Sequence, residues 1–170
     1  MTEMAVKVQK EDLVVKRIID APLELVWKAW TDPEHVKRWW GPKYYTSPSA
    51  KIDLRVGGKY IFCMRAPADQ GGQDMYTAGI YKEIVPLKRL EFTQGLSDKD
   101  GNPIDPAQLG MPPDFPKDMR MVIIFESKKC DMTELTITEY DWTVGDGGQM
   151  YVYALAGLHQ SIDKLAESLK

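Results

Sequence analysis

The chain has 170 residues, of which 44% are hydrophobic and 28% charged, and its formal net charge is −3 at pH 7. These values are typical of a single globular domain and exclude a disordered chain. The acidic balance and the lack of a basic stripe argue against nucleic acid as a partner, and no apolar run approaches the roughly 20 residues of a membrane span.

Residues 1–11 are polar and hold no apolar segment of the kind found in secretory signals, so we expect a flexible lead-in before one domain over residues 12–170. The two cysteines, Cys63 and Cys130, have no spacing typical of a metal or redox site. These features predict a cytoplasmic protein, and no motif in the sequence indicates a metal or a cofactor.

The N-terminal part of the domain predicts a strand followed by two short helices. Residues 12–19, DLVVKRII, are rich in β-branched side chains and predict the strand. Four apolar residues then recur with helical spacing: Leu23, Val26, Trp27 and Trp30. This first helix is expected to end at Asp32, because the residue before a proline avoids the helical region. A second helix is predicted over residues 34–40, ended by Gly41 and Pro42.

Strand patterns then recur without helices between them, which favours an antiparallel sheet. The predicted strands are residues 44–54, 59–66, 75–85, 89–96, 119–127 and 133–143. Gly57 and Gly58 form a tight-turn signature between the first two of these strands. Residues 97–118 contain five prolines and two glycines, so we predict a loop insertion there that acts as a lid, a binding loop or a disordered segment.

A long helix over residues 148–169 closes the chain. Its apolar residues have helical spacing: Tyr151, Leu155, Leu158, Ile162, Leu165 and Leu169. Gly157 lies beside this stripe and costs about 1 kcal/mol relative to alanine, which indicates that a neighbouring strand or a ligand approaches the helix there. The order of elements predicts an α+β helix-grip fold, in which a curved antiparallel sheet wraps around the last helix.

Several segments together resemble one known family. They are DAPLELVWKAWTDPEHVKRWWGP, IDLRVGGKYIFCMR, TAGIYKEIVPLKRLEFT and GLHQSIDKLAESL. The combination is similar to the bacterial homologues of the activator of the heat-shock-protein ATPase (AHSA-type), in the START-like, SRPBCC or birch-pollen-allergen-like superfamily. The resemblance implies a deep cavity between sheet and last helix, which the superfamily uses for lipids, polyketides and other apolar molecules. It implies no conserved set of catalytic residues.

Twelve residues are predicted to bind the ligand in such a cavity: Trp39, Trp40, Phe62, Met64, Met75, Tyr81, Phe92, Met121, Phe125, Tyr153, Gly157 and Leu158. Neighbouring residues on a helix do not share a face, so Trp39 is expected in the core and Trp40 at the pocket mouth or on the surface. The methionines either fill the space between sheet and helix or form a deformable wall.

Other motifs in the sequence give weaker indications of function. The segment from Asp98 lacks the glycine and glutamate of a calcium loop, and the segment from Gly145 has Met150 where a dinucleotide fingerprint needs its third glycine. By strand alternation Glu139 and Asp141 share a face with apolar neighbours, which leaves an acid–base role open for them.

The sequence therefore favours a protein that binds a small hydrophobic molecule over an enzyme. The alternatives are an enzyme of the polyketide cyclase or dehydratase type that uses the same cavity, and a co-chaperone-like interaction module. The sequence does not determine the identity of the ligand, whether the protein catalyses a reaction, or whether it forms a homodimer.

Overall fold

The computed structural model describes residues 9–112, 115–144 and 149–170. The strands are β1 (Gln9–Ile19), β2 (Ala50–Ile52), β3 (Lys59–Arg65), β4 (Asp74–Val85), β5 (Arg89–Ser97), β6 (Met119–Lys128) and β7 (Met132–Val144). The α-helices are α1 (Leu23–Thr31), α2 (Pro33–Val36) and α3 (Gln149–Ser168). Short 3-10 helices span Ala68–Gln70, Pro106–Leu109 and Lys129–Asp131.

The seven strands form one antiparallel sheet in the order β1-β7-β6-β5-β4-β3-β2. Consecutive strands from β2 to β7 are neighbours, and β1 closes the sheet beside β7, in agreement with the meander in the sequence. The curved sheet, the long C-terminal helix and the short helices after β1 confirm the helix-grip prediction.

One apolar core lies between the inner face of the sheet and the helices. The second half of α3 is firmly buried, since Ile162 and Leu165 are fully shielded from solvent. In its first half, Tyr151, Leu155 and Leu158 are only partly buried and Tyr153 is exposed. The helix therefore packs tightly against the sheet at its C-terminal end and less tightly at its N-terminal end.

Some element boundaries differ from the predictions. β1 begins at Gln9, three residues before the predicted start, while residues 1–8 of the predicted lead-in lie outside the described residues. The predicted helix over 34–40 is helical only to Val36 and continues as turns. The predicted strand over 44–54 shortens to β2, because Tyr44 has a φ of +72° and Pro48 has no N–H to donate to a strand neighbour.

Several local features lie outside the main strands and helices. Arg55 pairs with Asp53 before the glycine turn, with 2.8 Å between Nε and Oδ2. The segment from Asp98 closes on itself, because the Asp98 carboxylate accepts from the backbone N–H groups of Asp100 and Asn102. The glycine-rich segment 145–148 lies outside the described residues. Among the described helices, none is long and apolar enough to cross a membrane.

Candidate functional site

A cavity of about 380 Å³ lies between one end of the sheet and α3, and it is partly open to solvent. The lining from the strands comprises Met64, Met75, Thr77, Gln94, Gly95, Leu96, Met119, Met121, Glu139 and Trp142. The lining from α3 comprises Met150, Tyr153, Ala154, Gly157, Leu158 and Ser161. The other lining residues are Trp30, Trp39, Trp40, Gly41, Pro42, Tyr45, Met111, Phe115 and Pro116. The walls are therefore rich in tryptophan and methionine.

The adjacent tryptophans after α2 divide their roles between the core and the cavity. Trp39 is 1% exposed, and its indole N–H donates to the carbonyl of Ala29 at 2.9 Å. Trp40 is only half-buried and packs edge-on against Trp39 and Phe62, with ring centroids 5.6 and 4.8 Å apart. Both rings line the cavity, so Trp39 is its fixed wall and Trp40 is a wall nearer to solvent.

Eight of the twelve predicted ligand-binding residues line the cavity: Trp39, Trp40, Met64, Met75, Met121, Tyr153, Gly157 and Leu158. The other four do not line it: Phe62, Tyr81, Phe92 and Phe125. Phe62, Tyr81 and Phe92 pack around Tyr60, with ring centroids 4.7 to 5.6 Å from its ring. Phe125 packs against Trp27 at 5.0 Å. These aromatic rings fill other parts of the inner face, and the cavity lies at one end of it.

Gly157 has a different neighbour from the one expected. A Cβ on this residue would lie 3.7 Å from Cγ of Pro42, an ordinary van der Waals distance. The segment that approaches α3 there is therefore the one that follows Trp40, and not a strand. The glycine also lines the cavity.

Helix α3 holds this segment in place through Lys164. The Lys164 ammonium donates to the carbonyls of Gly41, Pro42 and Tyr45 at 3.1, 3.3 and 2.9 Å, which uses its three N–H groups. Ser161 donates from its hydroxyl to the Gly41 carbonyl at 2.9 Å. Partial burial lowers the pKa of Lys164. These bonds tie one cavity wall to the helix that forms another.

The segment after β5 also contributes to the cavity. Met111, Phe115 and Pro116 come from the predicted 97–118 insertion and line it. The Phe115 ring packs edge-on against Trp142, with centroids 6.4 Å apart. Strand and helix patterns give no signal for these three residues, because none of them lies in a helix or a strand.

A β-bulge in β7 decides which carboxylate faces inward. The β1–β7 register shifts where Leu13 pairs with Glu139 and Glu11 with Trp142, so β7 has one extra residue. That residue is Asp141, with a φ of +62°, and its N–H donates to the Asp12 carboxylate at 3.1 Å. Glu139 and Trp142 are consequently buried, whereas Asp141 is exposed. The prediction that Glu139 and Asp141 share a face is therefore wrong.

Unpaired polar atoms are concentrated around this cavity. Among the described residues, five shielded side-chain atoms have no hydrogen-bond partner in the protein, and four belong to cavity-lining residues. These four are Trp30 Nε1, Gln94 Oε1, Glu139 Oε2 and Trp142 Nε1, and the fifth is His35 Nδ1. Buried polar groups in folded proteins are nearly always paired, so this concentration distinguishes the residues around the cavity from the rest of the described core.

Residues 20–170 match the sequence model of the family described as Activator of Hsp90 ATPase homolog 1-like protein. The chain belongs to this Activator of Hsp90 ATPase homolog 1-like family. No curated protein matches it in sequence. The resemblance in the sequence segments, and with it the START-like fold, is thereby confirmed.

Solved structures share this fold. A protein from Nitrosomonas europaea is 28% identical with a TM-score of 0.71, and the match covers 93% of each chain. A protein from Chromobacterium violaceum is 26% identical with a TM-score of 0.69, over 93% of this chain and 96% of that one. CalU16 from Micromonospora echinospora, 22% identical with a TM-score of 0.61 over 95% of this chain and 77% of that one, shares the fold.

Glu139 is the one carboxyl among the described residues that line the cavity. Burial raises the pKa of its carboxyl from 4.5 to about 7, and the neighbouring Trp142 indole partly offsets the rise. The indole N–H nevertheless lacks hydrogen-bond geometry to any described acceptor. Across the inner face on β3, burial holds the pKa of Tyr60 well above its usual value, so that phenol stays neutral. No set of three or more metal-ligating side chains occurs in the described parts of the chain.

We expect the Glu139 carboxyl to make the folded protein less stable as pH rises. The folded state keeps this proton up to about pH 7, whereas the unfolded chain releases it near 4.5, so the unfolded state binds fewer protons in that window. The contribution of Glu139 to the free energy of unfolding should fall by about 2–3 kcal/mol between pH 5 and pH 8.

Urea unfolding of the wild type and of Glu139→Gln at the two pH values measures this effect. The glutamine variant has no carboxyl at this position, so it should gain stability relative to the wild type between pH 5 and pH 8. The same pH dependence in both proteins would contradict the assignment.

Proposed function

We propose that this protein binds a small hydrophobic or aromatic molecule in the cavity between the sheet and α3. The observation that supports this most is the size of the cavity, about 380 Å³, behind walls of tryptophan and methionine. That volume falls within the range of small-molecule sites. The fold of the family is compatible with such a role.

Energetics argue against an empty, dry cavity of this size. At about 24 cal/mol per Å³ a dry void of 380 Å³ would cost about 9 kcal/mol, compared with a total stability of about 5–15 kcal/mol for a typical domain. The six methionines that line the space do not close it. Water or a ligand must therefore occupy it, and an apolar ligand gains more from apolar walls than water does.

An enzyme of the cyclase or dehydratase type is the second candidate, because a buried carboxyl with a pKa near neutrality suits general acid–base catalysis. Among the described lining residues, however, Glu139 is the only carboxyl, and no histidine, lysine or cysteine accompanies it. A mechanism that divides acid and base roles between two side chains would therefore need one of the lining tyrosines, Tyr45 or Tyr153, as the second partner. A co-chaperone-like role has only the family description behind it.

We expect Ala154→Phe to abolish binding by filling the cavity from α3. Ala154 lines the cavity and is partly buried, whereas Ala156, on the same helix, is exposed and does not line it. Titration with the neutral fluorescent probe N-phenyl-1-naphthylamine should give saturable binding to the wild type and to Ala156→Phe. Affinity should fall at least about tenfold in Ala154→Phe.

Two results would contradict the proposal. One is a lack of saturable binding to the wild type for this probe and for a set of apolar molecules tested by thermal shift. The other is equal affinity in the wild type and in Ala154→Phe. Thermal unfolding of both phenylalanine variants serves as the control that the helix still packs.

A further inference from the structure

The described lining of the cavity carries one ionisable acid and no basic side chain. Glu139 is 6% exposed, and neither lysine, arginine nor histidine lines the same space. Lys164, a partly buried basic residue of α3, is committed to three backbone carbonyls of the segment 41–45. A negative charge on Glu139 therefore has no protein cation beside it in the cavity.

The described lining also holds hydrogen-bond acceptors that have no donor. Gln94 Oε1 and Glu139 Oε2 are shielded atoms without a partner among the described residues, and both side chains line the cavity. Glu139 pairs with Met121, which pairs with Phe92, and Gln94 follows two residues along β5 on the same inner face. The two acceptors thus lie on the same concave surface, separated by the single strand β6.

The walls around these acceptors are aromatic. Trp30, Trp39, Trp40 and Trp142 line the cavity with Tyr45, Tyr153 and Phe115. The face of an aromatic ring carries partial negative charge and attracts a cation within about 6 Å, and several rings together form the cages that bind ammonium groups. The indole N–H of Trp142 partly stabilises the Glu139 carboxylate, but neither this group nor the unpaired N–H of Trp30 carries a formal charge, so the negative charge has no protein cation as its partner in the described lining.

On the basis of the proposed binding function, we propose that the cavity selects apolar or aromatic molecules that carry a protonated amine, with the ammonium group at Glu139. An ammonium group offers up to three N–H donors and a positive charge, so it pairs with the Glu139 carboxylate and donates to the unpaired Oε2. A carboxylate ligand such as a fatty acid would bring a second negative charge beside the first. A neutral alcohol would supply one donor but no charge.

Three ligands that share one ring system test the proposal: 2-(1-naphthyl)ethylamine, 2-(1-naphthyl)ethanol and 1-naphthylacetate. Calorimetric titration at pH 8 measures each affinity, because the Glu139 carboxyl, with a pKa of about 7, is mostly ionised there. We expect the amine to bind at least about tenfold more tightly than the alcohol, and the acetate to bind more weakly than the alcohol.

The variant Glu139→Gln keeps the shape of the side chain and removes its charge. It should lose the preference for the amine, with amine affinity reduced at least about tenfold and alcohol affinity changed less than about threefold. Glu134→Gln, also on β7 but outside the cavity lining, is the matched control and should keep the preference. Thermal unfolding of both variants shows that they are folded.

The outcomes separate the two proposals. If the alcohol binds as tightly as the amine, or if Glu139→Gln keeps the amine preference, the ammonium site is overturned while apolar binding stands. If the acetate binds best, the charge argument is overturned in the same way. If none of the three ligands binds, the ammonium site is overturned, and the titration with N-phenyl-1-naphthylamine separately decides whether apolar binding stands.

Discussion

Replacing Trp39 with alanine is expected to lower the free energy of unfolding by about 3–5 kcal/mol. The indole is 1% exposed, packs edge-on against Trp30 with centroids 4.7 Å apart, and donates to the Ala29 carbonyl. Its removal would lose the buried area, leave a void between α1 and the sheet, and leave that buried carbonyl without its donor. These three losses come from one side chain.

Trp40 is the matched control for this change, since it has the same side chain at the next position. It is half-buried and already faces the cavity, so Trp40→Ala should cost less than about 2 kcal/mol. Urea unfolding of both variants gives the comparison, with similar m-values expected if the unfolded states are alike. Equal losses in the two variants would contradict the division of roles between the tryptophans.

The outline of the fold could be predicted because it depends on short-range periodicity. Alternation along β3, with Tyr60 and Phe62 on the inner face, and the helical stripe through Ile162 and Leu165 identify both the element and its buried side. An apolar face on the sheet and another on the helix have few ways to be buried together. The order of the elements then leads to the helix-grip fold.

The position of the cavity along the sheet could not be predicted in the same way. Alternation places Phe62 and Met64 on one face of β3, yet only Met64 lines the cavity. Phe62 instead packs with Tyr60 and Trp40, at distances that depend on neighbouring strands and on α2. The pattern of a strand identifies a face, but which end of that face is filled depends on long-range packing.

Strand alternation predicts only part of the inner face of β7. Alternation with apolar residues predicts that Glu139 points inward, and its burial agrees with this. The bulge at Asp141 then shifts the alternation and brings Trp142 inward. A positive φ at an aspartate is tolerated because its short polar side chain suits that conformation, but nothing in the sequence requires the bulge at this place.

The second large effect is expected at Gly79, in the middle of β4. A Cβ built on this residue would lie 1.7 Å from the Thr93 carbonyl oxygen and 2.9 Å from Cε1 of Tyr60. The Tyr60 hydroxyl donates to that same carbonyl at 2.6 Å, so its ring crosses the strand at the place where Gly79 has no side chain. Gly79→Ala should therefore lower the free energy of unfolding by about 3 kcal/mol or more.

Gly157 provides the opposite case for comparison. Its added Cβ would meet only Pro42 at 3.7 Å, and it lies inside α3, where alanine is favoured over glycine by about 1 kcal/mol. Thermal unfolding should show Gly79→Ala lowered by roughly 6–12 °C and Gly157→Ala unchanged or raised. A stable Gly79→Ala would mean that β4 and β5 separate at little cost. In that case the aromatic cluster around Tyr60 would not determine the position of the cavity along the sheet.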